Sequence, residues 1–153
     1  MAITLKDVRA HLDPDEVDYL AARKLGPQAI PFLLELVQGG DLALASKAAY
    51  LASMILSPRS AAVLEKAAAS QEAVVRVAAA SAIRNLSEAD AEKVMDLMKN
   101  DPDAGVRKVV LKSVSQLKSR RLAAKAKKMA ENDPEPFIRD LAVSPGKGVK
   151  KKK

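Results

Sequence analysis

The strongest constraint on the fold of this chain is a short motif that recurs at intervals of 28 to 32 residues. In each copy a helix-capping residue is followed six positions later by a basic one. Four copies are clear, and they pair Asp41 with Lys47, Ser70 with Arg76, Asp101 with Arg107, and Asp133 with Arg139. A degenerate copy begins at Asp13 and has Tyr19 at the basic position. Self-similarity at this period is typical of stacked repeats, in which each unit buries its faces against its neighbours.

Each motif is followed by the apolar spacing of an α-helix. Small or apolar side chains recur three, six and seven positions after the basic residue, as in Ala79, Ala82 and Ile83. This spacing places them on one helical stripe. A second stripe precedes each motif and predicts further helices over residues 27–37, 58–69, 88–99 and 120–131. The repeating unit is therefore predicted to be a pair of helices joined by a turn.

The composition also favours helices. The chain has 6 glycines, no tryptophan and only 3% aromatic residues, so alanine and leucine must supply most of the core. A core of small side chains requires helices that pack closely together. We therefore expect an all-α fold, in the form of a right-handed α-solenoid of four to five stacked antiparallel helix pairs.

The repeat resembles the short HEAT-like repeats first noted in phycobilin lyases, over roughly residues 13–143. The stretches that carry the resemblance are LGPQAIPFLLELV from Leu25, VVRVAAASAI from Val74 and DPDAGVRKVVLKSV from Asp101. In such repeats the matching Asp and Arg residues form a ladder of hydrogen bonds between neighbouring units. The resemblance therefore implies a structural role in this ladder for Asp41, Lys47, Arg76, Asp101, Arg107, Asp133 and Arg139.

The motif divides the chain into one domain and a short tail. Residues 1–145 are predicted to form a single repeat domain, with a short capping helix near residues 5–11 and a degenerate first repeat over 13–40. Later repeats start at about residues 41, 70 and 101, and a truncated last repeat covers 133–145, since Ser144-Pro145 stops its helix. Residues 146–153 contain five lysines and are predicted to be a disordered basic tail.

The sequence lacks the residue clusters of common catalytic and metal sites. It has no cysteine and one histidine, His11. The acidic pairs Asp13/Asp15 and Asp101/Asp103 lie at predicted helix starts, where carboxylates accept hydrogen bonds from backbone N–H groups. We therefore expect neither enzymatic activity nor a cofactor or metal ion.

The preferred function is a protein-interaction module or scaffold that binds an unidentified, acidic protein or peptide. In a HEAT-like solenoid the second helices line the concave face. Side chains there would form a ridge that is apolar at its N-terminal end and basic at its C-terminal end. The predicted ridge residues are Leu51, Ile55, Val77, Ser81, Arg84, Lys108, Leu111 and Lys112. An equally weighted alternative is that Leu51 and Ile55 only pack against neighbouring helices.

The second hypothesis is binding of nucleic acid or another polyanion. Residues 1–104 contain 11 basic and 15 acidic residues, whereas residues 105–153 contain 15 and 4, so the positive charge lies in the C-terminal part. The convex-side candidates are Arg120, Arg121, Lys125, Lys127 and Lys128, together with the lysine tail. Because no signal peptide or membrane-spanning stretch is apparent, we expect a cytoplasmic location. We also expect the protein to be a monomer.

Overall fold

The computed structural model describes residues 2–141, and within that range helices are the only regular secondary structure, as predicted. No helix in this range is long and apolar enough to cross a membrane. The proposed tail (146–153) and the end of the last repeat (142–145) lie outside the described residues. The helices are α1 (Leu5–Leu12), α2 (Tyr19–Ala22), α3 (Ile30–Val37), α4 (Leu42–Ser53), α5 (Ser60–Ala68), α6 (Ala73–Ala82), α7 (Glu88–Met98), α8 (Ala104–Val114), α9 (Arg120–Glu131) and α10 (Pro136–Arg139).

Side-chain caps define where several of these helices begin. Asp41 Oδ1 accepts a hydrogen bond from the Leu44 N–H of α4 (3.1 Å). Ser87 and Ser119 cap α7 and α9 in the same way. Each hydroxyl accepts a hydrogen bond from the backbone N–H three residues later. Because the first N–H groups of a helix have no partner within it, these oxygens fix the start of each helix.

The helix start predicted at Asp13 is wrong. Asp13 follows α1 instead of opening the next helix, and Asp18 caps α2 by accepting from the Ala21 N–H (3.0 Å). Residues 13–18 are therefore a loop, and α2 is only four residues long before a 3₁₀ turn over Arg23–Leu25 continues it.

The longer helices form two rows. Helix α3 packs against α5, and α5 against α7, whereas α4 packs against α6, and α6 against α8. Consecutive helices connect the rows, from α3–α4 through α8–α9. Alanines line the contacts of the second row: Ala45, Ala48, Ala49 and Ala52 of α4 and Ala79, Ala80 and Ala82 of α6 are fully buried. Small side chains allow the helix axes to approach closely, as the composition suggested.

The turn between the two helices of a repeat has the same hydrogen bonds in three copies. The side chains of Ser70, Asp101 and Asp133 each accept from the backbone N–H two residues later, at 2.9 to 3.1 Å. In each copy the arginine six positions on donates through Nη1 to the backbone carbonyl of that first residue, at 2.7 to 3.0 Å. The motif in the sequence is thus a turn. Its arginine donates to a backbone carbonyl that would have no hydrogen-bond partner within a helix.

Two of these arginines also connect one turn to the next. Arg76 Nε donates to Asp101 Oδ2 (2.9 Å), and Arg107 Nε donates to Asp133 Oδ2 (2.8 Å). In both pairs Nη2 donates to the other carboxylate oxygen, so the contact is bidentate. A planar guanidinium and a carboxylate in this arrangement have one favoured geometry, which fixes the register between neighbouring repeats.

We call each of these arginine–aspartate pairs a rung of the ladder. The ladder has no rung between the repeats that start at residues 41 and 70. That rung would need an arginine at position 47 and an aspartate at position 70, and the sequence has Lys47 and Ser70. Lys47 Nζ instead donates backwards along the chain, to the carbonyls of Leu12 (3.0 Å) and Pro14 (2.9 Å). Asp41, predicted to belong to the ladder, is the cap of α4. Lys47 and Ser70, the two exceptions in the motif, therefore correspond to one structural difference, the absence of this rung.

The Arg107–Asp133 rung is the more buried of the two. The Arg107 side chain is 10% exposed and that of Asp133 only 3%. Hydrogen bonding to Arg107 lowers the pKa of Asp133 from its ordinary value, and the same contact raises the pKa of Arg107. Both groups are therefore charged and paired at neutral pH.

Removing one partner of this rung should be costly. Arg107→Ala leaves a buried carboxylate without its cation and the Asp101 carbonyl without its donor, and we expect a loss of about 3 kcal/mol in unfolding free energy. The measurement is urea unfolding followed by circular dichroism. The matched control is Arg121→Ala, which breaks exposed ion pairs and should change stability far less. Equal effects of the two variants would contradict a structural role for the ladder.

The same rung predicts a pH dependence. Because the folded-state pKa of Asp133 is lowered from 3.8, its contribution to stability is complete above that pH and is lost as the pH falls through the folded-state value. Asp133→Asn should therefore destabilise the protein at pH 7. The difference from wild type should shrink below about pH 3.8. Urea unfolding at a series of pH values tests this, and a difference that stays constant down to the acid limit would refute it.

Candidate interaction surface

Three of the eight predicted ridge residues are in the core. Leu51 is completely buried, Leu111 is 2% exposed and Ile55 is 5% exposed. Leu51 and Leu111 both lie four positions after the basic residue of their repeat, and Ala80, at the same offset, is also buried. This offset packs against neighbouring helices, in agreement with the alternative interpretation of Leu51 and Ile55. These three side chains are not available to a partner.

The other five predicted residues remain accessible. Val77, Ser81 and Lys108 are partly exposed, and Arg84 and Lys112 are exposed. They lie along α6, the 3₁₀ turn that follows it (Ile83–Asn85), and α8, which packs against α6. We call this set of five residues the α6–α8 ridge.

Contacts of Ser81 connect the two parts of the ridge. Ser113 Oγ of α8 donates to the Ser81 carbonyl (3.4 Å), so the C-terminal ends of α6 and α8 lie side by side. Arg84 Nε donates to the same carbonyl (2.9 Å), which holds its side chain against the end of α6. Lys112, next to Ser113 in the sequence, is therefore one helix away from Ser81.

A groove continues the ridge towards the N-terminal end of the molecule. Its lining is mostly apolar and comes from α2, α4 and α6. The lining residues are Tyr19, Ser46, Lys47, Tyr50, Val74, Val77, Ala78 and Ser81. We call it the α4–α6 groove. Val74, one of the lining residues, is 53% exposed and contributes to this apolar surface.

The two tyrosines at one end of the groove contact each other. The ring centroids of Tyr19 and Tyr50 are 4.9 Å apart, with the ring planes tilted by 59°. Partial burial raises the pKa of Tyr19, and the neighbouring Tyr50 adds to the shift. Such a pair forms a stiff apolar wall with hydroxyls at its edge. Sequence reasoning did not assign these residues to a site, although Tyr19 was visible as the exception at the basic position of the first copy.

Lys47 builds this end of the groove. By donating to the carbonyls of Leu12 and Pro14, its ammonium holds the loop over residues 13–18 against α4. Tyr19 follows that loop directly, so its position beside Tyr50 depends on the same anchor. The ammonium of this partly buried lysine has two carbonyl partners, so Lys47 is a structural support here and not a charge presented to a partner.

The predicted basic patch is partly neutralised by the acidic face of α7. Arg121 donates to Glu88 Oε1 (2.9 Å) and Glu92 Oε2 (2.7 Å), and Lys125 lies 2.6 Å from Asp96 Oδ1. The hydrogen bond from Arg121, followed by that from Lys125, lowers the pKa of Glu92 to about 2. The first cause of the raised pKa of Lys125 is its bond to Asp96. These two cations are therefore already paired within the protein.

The other three candidates of the basic patch lie on the exposed face of α9. Arg120, Lys127 and Lys128 all belong to that face. The patch is thus split, with one side committed to ion pairs with α7 and the other side at the surface. No group of three or more His, Asp or Glu residues in the range 2–141 could hold a metal ion.

The comparisons with known proteins give no family to assign. No model of a known protein family matches the chain, and no curated protein does either. The surface is therefore interpreted from its own geometry and charge.

Burial separates two substitutions that the sequence alone would treat alike. Leu51→Glu introduces an unpaired charge into the α4 core and should cost more than about 4 kcal/mol of stability. Val77 is only partly buried at the edge of the core, so Val77→Glu leaves the same charge in contact with solvent and should cost about 1 to 2 kcal/mol. Urea unfolding of both variants tests this. Similar stabilities for the two would show that Leu51 is not in the core.

Proposed function

We propose that this protein is a non-enzymatic protein-interaction module, built as a short right-handed α-solenoid of four to five HEAT-like helix pairs. Two rows of helices and a turn that recurs with the same hydrogen bonds support this arrangement. In such a stack the second helices α4, α6 and α8 form the concave surface. The α4–α6 groove and the α6–α8 ridge lie on these helices.

The observation that carries the proposal is the exposed apolar groove. Its walls are tyrosine, valine and alanine side chains, although the chain has few large apolar residues to spare for its surface. Contiguous apolar surface that is only partly covered is typical of a site at which another protein docks.

The ridge indicates the chemistry of the partner. Lys108 and Lys112 are adjacent on α8, one helix beyond the groove, and both are at least partly exposed. A partner with an apolar side chain for the groove and carboxylates for these lysines satisfies both parts of the surface. An acidic peptide segment of another protein is therefore the preferred ligand.

Polyanion binding is the second candidate, supported by the exposed Lys127 and Lys128 and by the net positive charge of residues 105–153. Arg121 and Lys125 weaken it, since binding phosphates would require them to leave carboxylates. Binding of this kind would be independent of sequence and would fall steeply between about 50 and 200 mM salt.

The two functions predict different results in an affinity capture from cell lysate. We expect the wild-type protein to retain its partners after nuclease treatment, and Val77→Glu combined with Lys112→Glu to lose them, because the pair places negative charge in both parts of the surface. The readout is quantitative mass spectrometry of the captured proteins.

The control variant is Lys24→Glu, which reverses an exposed charge on the 3₁₀ turn after α2 and should leave capture unchanged. Capture that disappears with nuclease, together with salt-sensitive binding of a mixed-sequence DNA duplex, would favour the polyanion function. Capture that survives the double substitution would refute the proposed surface.

A further inference from the structure

We propose that the interaction surface recognises an extended segment with a basic residue on one side of an apolar anchor and acidic residues on the other, so that each end of the segment binds at only one end of the surface. This inference rests on the proposed function and specifies the partner of that same surface. It follows from three features that lie side by side: an acidic loop, the α4–α6 groove and the lysines of α8.

The acidic end is the loop over residues 13–18. Its four carboxylates, Asp13, Asp15, Glu16 and Asp18, are all exposed. Asp13 lies 4.0 Å from Arg9, and Asp18 caps α2, so Asp15 and Glu16 are the charges that face outwards without a structural task of this kind.

The loop borders the groove directly. Lys47 lines the groove and binds the Pro14 carbonyl at one side of these carboxylates, and Tyr19 lines the groove at the other side. A basic side chain of the ligand that reached Asp15 or Glu16 would therefore place its neighbours over the tyrosines.

The basic end is on α8. Val77 and Ser81 line the groove on α6, and Lys108 and Lys112 occupy the same positions one repeat later. The Ser113–Ser81 hydrogen bond places these two helices in contact at this level. An acidic side chain that follows the apolar anchor thus meets two ammonium groups.

The dimensions favour an extended ligand that crosses the helices. Packed helices lie about 8 to 10 Å apart, so the distance from α4 to α8 is about 20 Å. An extended chain covers about 3.3 Å per residue, so about six residues would cross from α4 to α8 and about two more would reach the loop beside α4. One segment of that length can therefore carry the basic, the apolar and the acidic residues that the surface would bind.

The charge pattern also argues against the lysine-rich residues 146–153 of the chain itself as the ligand. Their lysines would match the acidic loop, and Val149 could fill the groove, but Lys150–Lys153 would then face Lys108 and Lys112. Like charges in contact are unfavourable, and the segment has no carboxylate to place there.

The test is selection from a random peptide display library on four proteins: wild type, Val77→Glu, Lys108→Glu with Lys112→Glu, and Asp15→Lys with Glu16→Lys. Wild type should enrich peptides with basic residues on one side of an apolar residue and acidic residues on the other. A synthetic peptide with acidic residues on both sides of the apolar residue should bind about tenfold more weakly, because its charges at the loop would repel Asp15 and Glu16.

The charge-reversed proteins provide the sharper readout. The Lys108/Lys112 variant should select peptides whose acidic end has become basic, and the Asp15/Glu16 variant should change only the opposite end. Circular dichroism verifies that each variant is folded. If a charge-reversed variant is unfolded, a variant with glutamine at the same two positions takes its place. Neutral versions should lose the charge preference at that end and keep the apolar anchor.

The outcomes separate this inference from the proposed function. Peptides that Val77→Glu fails to bind, but that do not carry opposite charges on the two sides of the apolar residue, would leave the interaction surface standing and refute the charge pattern. Enrichment of no peptide by the wild type, or of peptides indifferent to Val77→Glu, would refute both. Enrichment of uniformly acidic peptides would refute the role of the loop and the charge pattern with it.

Discussion

The stacking of the C-terminal repeats depends on two arginines, Arg76 and Arg107, each of which joins two consecutive turns. In Arg107 one guanidinium donates to the Asp101 carbonyl of its own turn and to both carboxylate oxygens of Asp133 in the next. The rung therefore acts on local and long-range structure at once, because the same planar group closes the turn and sets the position of its neighbour. Helix packing in each row then follows from a fixed spacing, and small alanine side chains suffice to fill the gap between helices.

That spacing leaves two kinds of surface on the second row of helices. Where the positions are alanine, as in Ala48 and Ala52 of α4, neighbouring helices cover them completely. The same offsets carry larger or polar residues on α6 and α8, among them Val77, Ser81 and Lys112, and these stay accessible. The groove and the ridge thus arise from side-chain size at equivalent positions on a regular backbone.

The repeat motif predicted the all-α fold and most helices to within a few residues, since capping and apolar period act locally. Burial on the second helices was harder to predict. A helical stripe indicates which residues share a face, but the width of the buried face depends on how many neighbours pack against it, so Leu51 and Leu111 proved to be core. Arg76, Asp101, Arg107 and Asp133 form bonds between consecutive turns, as expected of the ladder. Asp41 and Lys47 do not, because Asp41 caps α4 and Lys47 binds the carbonyls of Leu12 and Pro14.

The ladder also determines which repeats are interchangeable. The segment over residues 101–132 has an aspartate that accepts from the preceding arginine and an arginine that donates to the following aspartate. A tandem duplicate of this segment would therefore continue the ladder on both sides. The segment over residues 70–100 has the donor but begins with Ser70, and the one over 41–69 uses Lys47 to hold the N-terminal loop. A protein of this design could thus lengthen by internal copying near its C-terminal end, with its N-terminal junction unchanged.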